Sequence, residues 1–466
     1  MKNSFFIVLL IVYSLALQAQ NSDYNCYTIV VGQKASQTGT LMVGHNEDDW
    51  GDKIVNMYKV PGSERSPKET IKLHSGKSIS LGGKTNSYLL LETTTEEFGD
   101  VYLNEHGVFI CSNACPSKED KAIGILGYEL RKFIAEKAKS AKEGVKIAGK
   151  LIEKYGYSSS GRTYCIADSS EAWLLAVVKG KHWIAQRVPD SSIAIVPNYY
   201  TIGTINLKDT ANFLGSKDII KYAVKRKWYN PKSGKPFNFR KAYGTPESLL
   251  SIGNTPRHWA GINLLSKKKF PYGENLPFAF IPEKKVSRLD IHKVLAYHFE
   301  WTDFETNYKI HKNPHNNIVN RICNAGTKFS VIAELESNTP VAYGAILWFH
   351  PLNPCTHPGV PIYFGIPRFP EEYQSEPYQQ EMQHHFDKAS HTFEANPKHA
   401  YSVFHRITQI VNSNYEGNIT GMQSFKNNFE DKVKKLIEET PKEKRPQLSY
   451  QLLQMLYKKE KETFSH

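Results

Sequence analysis

The stretch Tyr27-Thr28-Ile29-Val30-Val31-Gly32, followed by Thr40-Leu41-Met42-Val43-Gly44-His45-Asn46-Glu47-Asp48, decides the fold. Tyr27 to Val31 is β-branched and apolar, and Gly32 breaks it. Lys34 to Gly39 is polar, with Thr38-Gly39 as a turn, and Thr40 to Val43 is a second short strand. Two short strands joined by a compact turn read as a hairpin. The hairpin returns His45 to Asp48 to the start of the first strand, where Cys26 stands. Cys26 and Asp48 are therefore expected to be neighbours in space.

Upstream, residues 1–20 read as a signal peptide: Lys2 is the positive start, Phe5 to Leu17 the apolar core, and Ala16 to Gln20 the small and polar exit. The apolar run is shorter than the roughly 20 residues of a membrane span. Residues 21–25 are expected as a short propeptide. With both removed, Cys26 begins an exported chain, periplasmic or secreted. Asp23-Tyr24-Asn25 lacks the small residues that precede a lipidated cysteine.

Downstream, Tyr88 to Glu92 is another strand, and Val101 to Cys111 reads as strand, tight turn at Gly107, strand. Helices are expected at Ile123 to Lys137 and at Ala141 to Tyr155, where Gly156 is a natural stop. Strands return at Tyr164 to Ala167, Glu171 to Val177, His182 to Arg187 and Ile193 to Val196. Residues 207–250 read as an insertion, with an aromatic-rich part from Trp228 to Phe239. A helix is expected at Ser287 to Glu300, and strands at Ser330 to Leu335 and Ala342 to Phe349. The remainder, 376–466, is largely helical and ends in a basic amphipathic helix at Gln447 to Lys461, expected to pack or to form a peripheral arm. Strands, two helices, then strands argue for layered helices on antiparallel sheets, not a doubly wound sheet.

The formal net charge of +13 is spread along the chain and reads as a solvated surface, with no nucleic-acid motif. No Gly-x-Gly-x-x-Gly opens a helix and no phosphate loop is present, which argues against nucleotide chemistry. Six cysteines in 466 residues do not make a disulfide framework. Cys111 and Cys115 read either as a bridge or as buried thiols; Cys165, Cys323 and Cys355 are scattered. His106, His182, His315, His350, His357, His384, His385, His391 and His399 show no recognisable ligand spacing, so no metal and no cofactor is expected.

An N-terminal cysteine carries a nucleophile and a base on one residue. Its amine titrates near pH 7.7–8.0 and its thiol near 8.5, so the amine can take the thiol proton directly or through a water. Asp48 is placed to anchor the ammonium form, and Asn104, just before its turn, to donate an amide to an oxyanion.

The ordered series Cys26-Tyr-Thr-Ile-Val-Val-Gly32, Gly39-Thr40 and Gly44-His-Asn-Glu-Asp48 resembles the start of the C69 peptidases, the dipeptidase family of N-terminal-nucleophile hydrolases. So do Asn104-Glu105-His106-Gly107-Val108, Ile166-Ala167-Asp168 with Glu171-Ala172-Trp173, and Ala194-Ile195-Val196-Pro197-Asn198. Gly344 to Phe349 and Val360 to Tyr363 extend the similarity across most of residues 26–375. The resemblance implies an α+β, four-layer αββα sandwich of two antiparallel sheets between helices, over residues 26–375. It implies removal of everything before Cys26, hydrolysis of dipeptides through an acyl-enzyme, and no metal. Asp48 matches the family aspartate near the amine, Asn104 the oxyanion asparagine, Asn198 a second asparagine near the amine and the substrate carbonyl, and Arg257 a later active-site arginine.

One departure concerns His45, where the family usually has arginine. Arginine is a permanent cation, whereas an unperturbed histidine is neutral above about pH 6.5, so either the thiolate loses electrostatic support there or His45 simply fills the space with a hydrogen bond. The reading is a cysteine-type dipeptidase acting on short peptides, with no nucleic-acid partner and no integral membrane contact. Its rivals are an N-acyl amide acylase of the bile-salt or penicillin type, and a surface binding protein that has lost the chemistry.

Overall fold

The computed structural model describes residues 26–49, 51–96, 99–305, 312–315 and 321–464. The leader expected at 1–20 and the propeptide at 21–25 lie outside the described residues. The chain has an α+β fold: two antiparallel sheets lie face to face, helices cover their outer faces, and a helical extension follows.

The expected hairpin forms between Tyr27–Val31 and Leu41–Asp48, paired antiparallel with Thr28 opposite His45. Ile193–Val196 flanks the first strand and Thr327–Leu335 the second, so the hairpin lies inside its sheet. Among the described residues that sheet runs Ala279–Phe280, Ile193–Val196, Tyr27–Val31, Leu41–Asp48, Thr327–Leu335, Ala345–Pro351, Val360–Tyr363. The second sheet runs Phe213–Gly215, Trp183–Arg187, Ala172–Gly180, Tyr157–Ala167, Phe109–Ala114, Asp100–Asn104, Tyr88–Thr93, Val55–Val60.

Strand alternation assigns the faces. Tyr27, Ile29 and Val31 pack under an outer helical layer, while Val30 and Val43 point into the core between the sheets. Both faces are covered, which is why these strands read as continuous apolar runs. Each Val or Ile buried this way contributes about 1.5–3 kcal/mol. Helices Thr255–Leu265 and Arg288–Leu295 cover the first sheet; Leu130–Lys137 and Ala141–Tyr155 cover the second. Gly44 permits close contact with the outer layer: a Cβ there would stand 2.5 Å from Ile291 Cγ2.

Two helices are shorter than their sequence patterns suggest. The one expected from Ile123 begins at Leu130, because Leu126 bridges to Tyr157 and Gly124 lies flush on the Gly156–Tyr157 backbone. The one expected to reach Glu300 is capped by Ser287 and ends at Leu295; Phe299 and Trp301 then take positive φ angles that no helix tolerates.

The C-terminal extension contains helices Ala400–Ser413, Tyr415–Glu439 and Arg445–Phe464. The last packs on Val360–Tyr363, the outermost strand of the first sheet, and buries Leu452, Leu453 and Leu456 there. The Tyr363 N–H donates to Ser449 Oγ at 3.0 Å, and the Gly359 N–H donates to Glu430 Oε1 at 2.9 Å. Among the described residues no helix is long and apolar enough to cross a membrane.

Candidate active site

Cys26 sits at the mouth of the hairpin and is 1% exposed. Its thiol donates to Glu47 Oε1 at 3.2 Å and lies 3.8 Å from the Asp48 carbonyl oxygen. Glu47 rather than Asp48 meets the sulfur because alternation puts His45 and Glu47 on one face of their strand, and Asn46 and Asp48 on the other.

A chain of hydrogen bonds fixes protons behind the cysteine. Asn113 Nδ2 donates to the Val196 carbonyl at 3.0 Å, which turns Asn113 Oδ1 toward Thr28. The Thr28 hydroxyl donates to that oxygen at 2.5 Å, so Thr28 Oγ1 accepts from His45 Nδ1 at 2.8 Å. His45 Nε2 faces Glu47 Oε2 at 3.0 Å, where only donation is possible to a carboxylate. Both ring nitrogens therefore carry hydrogens, and His45 is an imidazolium. Burial opposes that charge, but the Cys111 sulfur and the Glu47 carboxylate raise His45 to about 9. The expected neutrality of His45 above about pH 6.5 is not what the surroundings produce: they keep it cationic through neutral pH.

Burial, with the negative fields of Glu47 and Asp48, pushes the Cys26 thiol well above its usual range. Arg162, on the second sheet, pulls the other way. It is buried and donates to Ser112 Oγ at 3.3 Å. Burial disfavours its charge, yet Tyr157, Tyr164, Cys26 and Glu47 hold the guanidinium above its ordinary value.

Arg257 reaches the site from the outer helical layer. Its Nη1 donates to the Cys26 carbonyl at 3.1 Å, and its Nη2 donates to Asn198 Oδ1 at 2.9 Å and Asn254 Oδ1 at 2.8 Å. Asn198 Nδ2 donates to the Ala114 carbonyl at 3.1 Å. Asp48 Oδ2 accepts from Asn324 Nδ2 at 2.7 Å, whereas its buried Oδ1 has no hydrogen-bond partner among the described residues. Burial raises the Asp48 carboxyl to about 7, against the pull of Thr327, Arg257 and Asn324.

Of the expected residues, Cys26, His45, Asp48, Asn198 and Arg257 converge. Asn104 does not join them. Its Nδ2 donates to the carbonyls of Ala135 at 2.9 Å and Ala138 at 2.7 Å, in the helical layer outside the second sheet. Its Oδ1 accepts from the N–H groups of His106 and Val108, both at 3.0 Å. That geometry ties a turn to a helix end and leaves no amide hydrogen for an oxyanion. Glu47, Thr28, Asn113 and Arg162 were not anticipated; the period-2 signal pairing Cys26 with Glu47 was available in the sequence, but the partners from the second sheet were not.

The six cysteines are free thiols among the described residues, and Cys111 faces Cys165 across two strands rather than bridging Cys115. The cleft of about 300 Å³ beside His106, Gly107, Ser169 and Val341 shares no residue with the group around Cys26. Trp228 packs edge-on against Tyr222 and Tyr243, and walls no part of this group.

Comparison with known proteins adds a second line. The family described as Peptidase family C69 matches residues 25–428. A "Probable dipeptidase" of Latilactobacillus sakei is 26% identical over 416 residues, covering 84% of this chain and 81% of the relative. A "Probable dipeptidase B" of Lactococcus lactis subsp. lactis (strain IL1403) is 26% identical over 368 residues, covering 75% and 76%.

Proposed function

The chain belongs to peptidase family C69, and from that premise we propose that it is a cysteine-type dipeptidase whose nucleophile is Cys26, freed as the first residue of an exported mature chain. The observation that carries the reading is the Cys26 thiol held on Glu47, with Arg257 joining the Cys26 carbonyl to Asn198. The dipeptidase names of the relatives support the substrate class.

While Cys26 is acylated by the preceding residue, burial and then the negative fields of Glu47 and Asp48 keep its thiol protonated. Cleavage before Cys26 exposes an α-amine that titrates near 7.7–8.0. Asp48 Oδ1, buried without a partner among the described residues, becomes the acceptor for the ammonium. The neutral amine takes the thiol proton and the thiolate attacks the peptide carbonyl. Asn198 Nδ2 and a backbone N–H stabilise the oxyanion, taking the role first expected of Asn104. The ammonium returns its proton to the departing amine, leaving a thioester. The amine then deprotonates a water that hydrolyses the thioester to the free acid and regenerates the thiol. The Glu47–His45 pair orients the sulfur and stays an ion pair throughout.

The test is N-terminal sequencing and assay of the purified mature protein on dipeptides and on N-acyl amides. Expected are a first residue of Cys26, release of free amino acids from dipeptides, and no activity in Cys26→Ala. A first residue of Ser22 in active protein, or activity in Cys26→Ala, overturns the mechanism. Cleavage of the N-acyl amides alone would make it an acylase, and no cleavage of either a binding protein.

A further inference from the structure

Away from Cys26's sulfur, four side chains from separate segments meet at one point. His298 follows the helix Arg288–Leu295, His315 lies in a short segment beyond it, Cys323 precedes the strand Thr327–Leu335, and Cys355 lies in the loop after Ala345–Pro351. His298 Nε2 is 3.3 Å from His315 Nε2, and Cys323 Sγ is 3.5 Å from Cys355 Sγ. His315 Nε2 is 3.2 Å from Cys355 Sγ and 3.7 Å from Cys323 Sγ. All four atoms lie within 4.8 Å of one another.

The hydrogen bonds behind the two imidazoles leave their Nε2 atoms free to face the centre. His298 Nδ1 faces Glu300 Oε1 at 3.0 Å, where it donates to the carboxylate. Asn313 Nδ2 donates to Asn412 Oδ1, which fixes that oxygen as an acceptor, and His315 Nδ1 donates to it at 3.3 Å. With Nδ1 of each ring bonded outward, both Nε2 atoms face the two sulfurs and each other. Tetrahedral zinc, with bonds of about 2.3 Å to sulfur and about 2.0 Å to nitrogen, spaces its ligand atoms by about 3.3–3.8 Å. The four separations of 3.2, 3.3, 3.5 and 3.7 Å lie close to that spacing.

We propose that His298 Nε2, His315 Nε2, Cys323 Sγ and Cys355 Sγ bind one zinc ion in a closed structural site. Two imidazoles and two thiolates form a neutral complex with a divalent cation, and their softness selects zinc over magnesium or calcium. The Glu300 carboxylate and the Asn412 amide orient the imidazoles, and Asn353 Nδ2, 3.5 Å from Cys323 Sγ, steadies a thiolate. Cys355 is the partly exposed ligand and gives the ion its way in. Binding releases the two thiol protons to solvent.

The site also braces the neighbouring chemistry. Asn324 follows Cys323 directly, donates to Asp48, and has its own carbonyl held by Asn353 at 2.6 Å. Asn324 is a positioning residue here, and zinc fixes the segment that carries it. A second group, Glu92, Glu381 and His385, is no rival: the His385 nitrogens are committed to Glu92 and to the Glu96 carbonyl.

The experiment measures zinc in the purified full chain by elemental analysis, then replaces it with Co(II). Expected are one zinc per chain and, with cobalt, the thiolate charge-transfer band and strong visible bands of a tetrahedral site. Cys323→Ser/Cys355→Ser should lose both, and a strong chelator should lower the melting temperature of the unsubstituted chain. No metal taken up by the reduced chain overturns the proposal, as does a Cys323–Cys355 disulfide in the protein as isolated. Octahedral cobalt spectra, or unchanged zinc in a folded double variant, also overturn it. These readouts do not depend on peptidase activity, so they stand apart from the test of Cys26.

Discussion

The Glu47 carboxylate holds Cys26 and His45 at once, the thiol on Oε1 and the imidazolium on Oε2. One side chain thus sets the orientation of the sulfur and the charge of the histidine behind it. In Glu47→Gln the size is kept and the charge is lost, leaving His45 buried without its counter-ion. A loss of stability of about 3 kcal/mol is expected, as for other broken buried pairs. The kcat/KM on a dipeptide is expected to fall about 100-fold. Chemical denaturation and steady-state kinetics check both, and an unchanged kcat/KM removes Glu47 from the surroundings of the proposed nucleophile.

His45 should write a slope into the pH dependence of stability. Its folded value of about 9 lies above the unfolded value of about 6.5. The folded state therefore binds the extra proton between these values. The stabilisation is complete below about pH 6.5 and is lost as pH rises through about 9, on the order of 3 kcal/mol in all. Melting temperatures across that window should fall, and His45→Gln should flatten the fall.

Asp48 should behave differently before and after cleavage. In the uncut chain burial raises its carboxyl to about 7. An acid raised on folding binds protons more tightly when folded, so its contribution declines as pH rises from about 4 to 7. An ammonium beside Oδ1 lowers that value and removes the decline. Melts of the uncut chain, of a chain beginning at Cys26, and of uncut Asp48→Asn compare the three. A decline of equal size in all of them excludes an Asp48–ammonium contact.

Asn104→Ala removes four hydrogen bonds from a buried position. A stability loss of about 2–4 kcal/mol is expected. Activity per folded molecule should remain, because none of those bonds reaches Cys26. Denaturation midpoints and thiol titration of the folded fraction separate the two effects; a large fall in kcat at intact stability would restore the oxyanion role.

The hairpin was legible in the sequence because apolar β-branched runs and turn residues are local signals. Cys26 and Asp48 were legible as neighbours for the same reason. Asn104 was misplaced because a tight turn shows where a residue sits along the chain but not which face of the sheet it serves. The His45 charge could not be read, since it depends on Glu47, Thr28 and Asn113 meeting across two sheets. His298, His315, Cys323 and Cys355 were invisible as a group: intervals of 17, 8 and 32 residues match no local ligand motif. Only the return of Thr327–Leu335 and Ala345–Pro351 to the first sheet brings them together.

The C-terminal helices have a consequence beyond packing. An outermost strand exposes a rail of backbone groups that another chain can extend. Here Ser449 and Glu430 take the N–H groups of Tyr363 and Gly359, and a helix occupies the place where a foreign strand would dock. The extension thus covers that edge, and a chain cut before it would leave the rail open to a second strand.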